Sequence, residues 1–264
     1  MRLMAMVDIL NEIKRDYVRD VVKRGKRIDE RKFDEYRKIT VETGIIPNAE
    51  GSAKVKLGNS QVLVGVKLDI GIPYKDRPTE GIFSTSSELL PLASPTFEPG
   101  PPSAQSIELA RVVDRGIRSS GAIDMNSLFI EENKVWAIFT DVYALDHDGN
   151  LIDAAALAGM AALLSCRMPK YEDGKIIRTE SSGKLPVSEK VATCTFAKIN
   201  GSIVLDPSFD EEVAMDCRLT LSTTPTHLCA SQKGGSGAIT EKELLDCLDT
   251  AFRKGSELRA LLKD

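Results

Sequence analysis

Val135-Trp-Ala-Ile-Phe-Thr-Asp-Val-Tyr-Ala-Leu145 leads through Asp146-His-Asp-Gly149 into Asn150-Leu-Ile-Asp-Ala-Ala-Ala-Leu-Ala-Gly-Met-Ala-Ala-Leu-Leu-Ser-Cys166, and this stretch decides the fold class. Its first part is a long apolar run rich in β-branched and aromatic residues, which reads as a buried strand. Its last part, Leu151–Cys166, is an Ala-rich helix whose small side chains let a neighbouring element approach closely. A buried strand handed through a glycine turn to a helix is a building unit of α/β proteins.

Outward from this unit, strands precede it and strands follow. Upstream, residues 39–46, Ser52–Leu57 and Gln61–Ile72 read as strands, separated by turns at residues 47–51 and Gly58-Asn59. Residues 91–102 hold five prolines and form an extended loop, after which a helix spans residues 103–119. Downstream, Thr193–Ile199 and Ser202–Leu205 flank Asn200-Gly201, a strong hairpin signal. Strands at residues 219–224 and 227–231 follow. Thr240 and Glu243 form a capping box that opens a last helix, with Leu244, Leu245, Leu248, Phe252 and Leu258 turned inward. The order predicts an α/β protein of two similar halves, divided near residues 168–190.

Composition narrows the function classes. At 264 residues the chain buries a sizeable core without metal or disulfide staples. No apolar run approaches the ~20 residues that a membrane-spanning helix requires, and the first 30 residues have no signal-peptide hydrophobic core. Five widely spaced cysteines read as reduced thiols of a cytoplasmic protein, and only two histidines, His147 and His227, are available for metal or triad chemistry. A net charge of −4 argues weakly against a nucleic-acid partner. The charge is uneven, however: residues 1–38 carry 12 basic and 8 acidic side chains. Leu3, Met6, Leu10, Ile13, Tyr17 and Val21 recur at helical spacing there, with Lys14, Arg15, Arg19 and Lys23 off the stripe and Gly25 ending the helix. This helix is either docked on the core or a partner-facing arm.

Four features could carry chemistry. Arg111, Arg115 and Arg118 lie at i, i+4 and i+7, within roughly a 60° arc of a helix, opposite an apolar face. Guanidinium forks fit phosphate oxygens, so the stripe is either a phosphate-binding ridge or a solvated face. Residues 146–150 form a strand-to-helix turn that could bind an anion, but Asp153 in the first helical turn favours a simple cap. Asp206, Asp210, Glu211, Glu212 and Asp216 are five carboxylates within eleven residues, suited either to Mg²⁺ or acid–base work or to an acidic surface turn. Residues 234–237 form a glycine-rich loop without a P-loop lysine, which reads as a flexible hairpin tip.

Together these segments resemble the RNase PH family of phosphorolytic exoribonucleases. The resemblance rests on Arg27-Ile-Asp-Glu-Arg31, Gly44-Ile-Ile, Ala49-Glu-Gly-Ser-Ala53, Gly58-Asn-Ser-Gln-Val-Leu63, the helix Glu108–Arg118 and the ending Val204-Leu-Asp-Pro-Ser-Phe-Asp-Glu-Glu212. It runs from about residue 25 to 260 and is closest to the non-catalytic RNase PH-like subunit of the archaeal exosome. It implies an RNase PH-like α/β fold of two βαβ-rich halves, related to the ribosomal protein S5 domain 2-like fold. The expected layout is an N-terminal helix over 1–25 and one domain over 26–264, with halves at about 26–168 and 190–264.

The departures from the family pattern bear on activity. Catalytic members place an arginine after Gly-Thr or Gly-Ser at the strand-to-helix turn to hold inorganic phosphate; here the residues are Gly149, Asn150 and Leu151. Catalytic members carry two aspartates six positions apart, where this chain has Asp206 and Glu212. The resemblance therefore implies an inactive copy, with a degenerate phosphate site at Gly149–Leu151 and a degenerate acidic site at Asp206 and Glu212. It further implies that Arg111, Arg115 and Arg118 line a channel for single-stranded RNA. The expected partners are the catalytic paralogue, three such pairs closing a hexameric ring, and cap proteins with RNA-binding domains. No cofactor is expected in this chain, phosphate and any Mg²⁺ being used by the paralogue. The competing expectations are an active nuclease using Asp206 with Asp210 or Glu212, and a purely structural ring scaffold. A small-molecule kinase would need a lysine that residues 234–237 lack.

Overall fold

A computed structural model describes residues 2–263, with side chains described from residue 12 onward. The deciding stretch forms strand β6 (Lys134–Asp146) and helix α3 (Leu151–Ser165). β6 lies inside a six-stranded sheet with β1 (Ile39–Thr43), β2 (Gly51–Leu57), β3 (Ser60–Gly71), β4 (Ile82–Leu89) and β5 (Phe129–Glu131), in the order β1-β2-β3-β6-β4, with β5 pairing β6 as well. β2 and β3 are joined by the expected two-residue turn, Leu57 facing Ser60 and Gly58 at φ +58°. Hairpin β7–β8 (Arg167–Glu172, Lys175–Lys184) separates this half from a four-stranded sheet of β9 (Ala192–Ile199), β10 (Ser202–Leu205), β11 (Cys217–Thr223) and β12 (Leu228–Gly235), ordered β10-β9-β11-β12. Asn200 and Gly201 both have positive φ, as a primed hairpin turn demands.

Helix α3 is the middle layer. Every residue from Leu151 to Leu163 is buried, which matches its uniformly apolar composition. It packs against β2 and β3 on one side and β9 on the other, so one continuous core joins the two halves. Its small residues permit this: a side chain at Gly51 would run into the carbonyl of Ala162, and Gly159 faces Val113 and Ile117 of helix α2 (Ala104–Ser119).

Several expectations need correction. β4 is not marked by hydrophobic alternation, because half of its sequence, Ile-Phe-Ser-Thr-Ser-Ser-Glu-Leu, is hydroxylic. It is the strand that pairs in parallel with β6, so β4–α2–β6 is a true crossover unit, whereas the second sheet is antiparallel throughout. The acidic stretch after Pro207 is not a bare turn; it holds helix α4 (Phe209–Ala214), whose N-cap Ser208 forms a capping box with Glu211. Residues 234–237 are not a hairpin tip. They end β12 and lie against the backbone of Asp216 and Cys217, where a side chain at Gly235 or Gly237 would collide.

Both terminal helices also differ from the reading. Helix α1 (Arg2–Lys23) ends before Gly25 at φ +75°. Among its described side chains Val18 and Val22 are buried, packed with Ala197, Ile199, Val204 and Ala214, while Ile13 and Tyr17 are 61% and 60% exposed. Leu3, Met6 and Leu10 lie outside the described side chains. Helix α5 (Glu241–Ala260) turns Cys247, Ala251, Gly255 and Leu258 inward and leaves Leu244 and Leu245 exposed. Small residues win the inner face because α5 lies close over β9 and β11.

Candidate functional site

Three arginines of the first 38 residues point into the molecule. Arg27 is buried and grips Glu211 with Nε and Nη2, at 2.8 and 2.5 Å, while donating to the carbonyls of Leu205 and Asp206. Arg31 donates to Asp206 at 2.9 Å. Arg37 donates to both oxygens of the same carboxylate, at 2.8 and 3.0 Å, and its backbone N–H adds a third bond at 2.9 Å. Asn150 Nδ2 completes the set at 2.8 Å. Asp206 is 0% exposed with every contact charge-assisted or amide, so it is a structural hub and is closed to solvent and to metal. A sequence-level reading that offers Asp206 as a surface or metal-facing acid is corrected accordingly.

Gly149, Asn150, Leu151, Asp206 and Glu212 do converge. Gly149 at φ +88° lets β6 turn into α3 beneath Ser208; any side chain there would strike the Ser208–Phe209 backbone. Asn150, in the left-handed conformation, caps α3 through Asp153 N–H. Its own N–H donates to Glu212 Oε1 at 2.9 Å. A helix start of this kind attracts an oxyanion, and here that place is taken by a side-chain carboxyl oxygen of the same protein. Leu151 is buried beside it. What remains open is a cleft of about 40 Å³ bordered by Gln105, Glu108, His147, Leu151, Glu212 and Arg218. That space admits a few waters and not a nucleotide.

The carboxyls around this turn are poised high. Burial raises Glu212 to about 7, against the opposing N–H of Asn150 and the guanidinia of Arg218 and Arg37. Burial likewise raises Asp153 to about 6, opposed by hydrogen bonds from Asn150, Thr195 and Tyr36. Thr195 gives Asp153 two bonds, at 2.9 and 2.7 Å, and Tyr36 a third at 2.8 Å. His147 is packed between Phe97 and Phe209, at 5.2 and 5.1 Å between ring centres, and burial lowers its pKa. Among the remaining acids, Asp210 is an exposed partner of Lys14 and Asp216 pairs with Arg19. Among the described residues, no group of three His, Cys, Asp or Glu side chains is placed to hold a metal.

The arginine stripe on α2 runs beside β12. Arg111 is exposed, without a hydrogen bond or ion pair among the described residues. Arg115 is exposed and donates to Gln232 at 2.9 Å. Arg118 is spoken for: it forks onto Asp114 with two bonds of 2.9 Å, donates to the carbonyl of Phe83 and stacks over that ring at 5.5 Å. One turn earlier, Glu108 pairs with Arg218 at 2.7 Å above Gly234, whose missing side chain leaves room for the pair. Sequence reasoning missed Arg27, Arg31 and Arg37 as carboxylate partners, and Arg218 altogether. The local basic excess was the one signal that pointed to the first three.

The fold, the β6–α3 turn and the acidic segment after β10 define an RNase PH-type architecture, and the chain belongs to the 3′ exoribonuclease family: domain 1 of that family matches residues 35–169 and domain 2 matches residues 190–254. An exosome complex component Rrp42 from Thermococcus gammatolerans is 50% identical over 265 residues, covering 98% of this chain and 97% of the relative. A solved chain described as the Archaeoglobus fulgidus exosome with RNA bound to the active site superposes with a TM-score of 0.91 at 46% identity, covering 97% of this chain and all of that one. A second, described as an archaeal exosome core, gives 0.87 at 42% identity over 97% and 99%. No helix among the described residues is long and apolar enough to cross a membrane.

Proposed function

We propose that this chain is the non-catalytic RNase PH-like component of an exosome, a 3′-to-5′ phosphorolytic exoribonuclease complex of the cytoplasm. It pairs with a catalytic paralogue, three pairs close a hexameric ring, and proteins with RNA-binding domains cap one face. The observation that carries the inactive reading is the Asn150–Glu212 bond: the helix start that would hold inorganic phosphate is filled by an internal carboxylate, and Leu151 stands where an arginine would be. Without bound phosphate there is no attacking group to orient, so phosphorolysis cannot proceed in this chain. Phosphate and any Mg²⁺ are used by the paralogue.

In this reading Arg111 and Arg115 are the RNA contacts, with Arg118 a weaker one. Arg111 has all its donors free, and Arg115 gives one bond to Gln232. Such arginines track a single strand by its phosphates without reading bases. The test is phosphate-dependent shortening of a single-stranded RNA by the purified chain, by the paralogue, and by the two together. No turnover by the chain alone and turnover by the mixed ring are expected; steady turnover by the pure chain would refute the assignment.

A further inference from the structure

A second cleft lies far along the sequence from these residues. It is formed by the loop before β9, the β11–β12 connection and the C-terminal half of α5, and has a volume of about 640 Å³. That is within the range of small-molecule pockets. Leu164, Val187, Pro225 and Phe252 give it apolar walls, Ser256 and Arg259 supply polar groups from α5, and Ser188, Glu189 and Lys190 line the side towards β9, where the Glu189 carboxylate offsets part of the charge of Arg259.

Arg259 is the unusual member. It is only 9% exposed, yet its hydrogen bonds among the described residues go from Nη1 to Thr223 alone, to the carbonyl at 3.0 Å and the hydroxyl at 3.3 Å. Nε and Nη2 have no protein partner there and are not among the buried unpartnered atoms, so they reach solvent, and no carboxylate lies within ion-pair distance of Arg259 among the described residues. A buried guanidinium is ordinarily matched by a carboxylate, as Arg27 is by Glu211 in this same molecule. The position in the last turn of α5 offsets part of the charge through the helix dipole but supplies no hydrogen-bond acceptor. The site is also built to house it: a side chain at Gly255 would come within 3.0 Å of Nη1.

We propose that this cleft binds a small organic oxyanion, a phosphate monoester or carboxylate carried on an apolar body. The free Nε and Nη2 edge of Arg259 matches two oxyanion oxygens in the fork geometry, and Phe252, Pro225 and Val187 receive the body. Ser256 is exposed on the rim. The site is independent of the RNA-lining reading, since it shares no residue with the α2 stripe.

The experiment titrates the full chain with phenyl phosphate, benzoate and inorganic phosphate by calorimetry. Saturable binding of phenyl phosphate or benzoate is expected, at least tenfold tighter than inorganic phosphate. Ser256→Trp adds a bulky ring at the rim, one turn from Arg259, and should weaken binding at least tenfold with unchanged thermal melting. Arg259→Gln should abolish it, and Arg111→Glu with Arg115→Glu should leave it intact. No saturable binding by either organic probe overturns the proposal. So does binding that survives Ser256→Trp, or that is lost with the two α2 arginines, or that inorganic phosphate equals.

Discussion

The backbone N–H of Asn150 donates to the side-chain carboxylate of Glu212 at 2.9 Å across 62 residues of sequence. This bond joins the start of α3 to α4 and converts an anion-attracting helix start into an internal contact. It also places a titratable group of unusual pKa at the join between the two halves.

Stability should therefore fall as pH rises from about 4.5 towards 7. Glu212 moves from an ordinary 4.5 to about 7 on folding, so the folded state holds a proton that the unfolded chain has lost between those values. The contribution is full below 4.5, declines towards pH 7 and is flat above it, amounting to about 3 kcal/mol at most. Asp153, raised from 3.8 to about 6, acts in the same direction at slightly lower pH. Glu212→Gln keeps the acceptor for Asn150 and removes the titration. Its melting temperature should decline less than that of the wild type between pH 5 and 8, and equal slopes would discard the assignment.

Asp206→Asn should be strongly destabilising. It leaves Arg31 and Arg37 facing a neutral amide in a closed site, and removal of one partner from a buried ion pair costs about 3–5 kcal/mol. Urea unfolding measures this directly. A loss under 1 kcal/mol would mean the hub is wetter than its burial indicates.

Gly149→Ala tests the turn. The added carbon would sit 2.4 Å from the Ser208 backbone, at a φ of +88° that disfavours any side chain. A loss of more than about 2 kcal/mol is expected from strain and displacement of α4. Thermal melts of the full chain provide the number, and a neutral outcome would show that α4 shifts freely.

Charge reversal on α2 should weaken RNA capture in the assembled ring. Arg111→Glu and Arg115→Glu should each lower affinity and flatten the plot of log K against log salt by about 0.7. Arg118→Ala should instead lower stability, since its donors are held by Asp114 and Phe83. Unchanged affinity and slope in an intact ring would leave the stripe without an RNA role.

The fold class was legible because β6 and α3 advertise themselves: one is dominated by apolar β-branched and aromatic residues, the other alanine-rich and free of charge after Asp153. The hairpin turns at Gly58-Asn59 and Asn200-Gly201 were equally plain, since positive φ selects those residues. β4 was not legible, because a strand rich in serine and threonine lacks hydrophobic alternation. At the site, Gly149, Asn150, Leu151, Asp206 and Glu212 were legible as a group through the family resemblance. Their arrangement was not. Asp206 is hidden by arginines 169 and 175 positions away, and no local pattern encodes a partner at that distance. The overall charge of −4 was likewise a poor guide, because it does not say which charges are exposed: Arg27, Arg31 and Arg37 are turned inward on Glu211 and Asp206, while Arg111 and Arg115 are exposed.

The clamp of Arg27 on Glu211 also sets a constraint on how the chain is made. The arginine leaves the ribosome 184 residues ahead of its carboxylate, a delay of roughly 10–40 s at ordinary translation rates. Throughout that interval Arg27 lacks Glu211, and Arg31 and Arg37 lack Asp206, with Asp29 beside the first two and Asp148 later beside the third, and the first sheet must form with its basic leader unattached to the second half. Fastening that leader is therefore a late act of synthesis, and a nascent chain stalled before residue 206 would present three arginines without their buried carboxylate partners to whatever polyanion lies nearest, the ribosome's own RNA included.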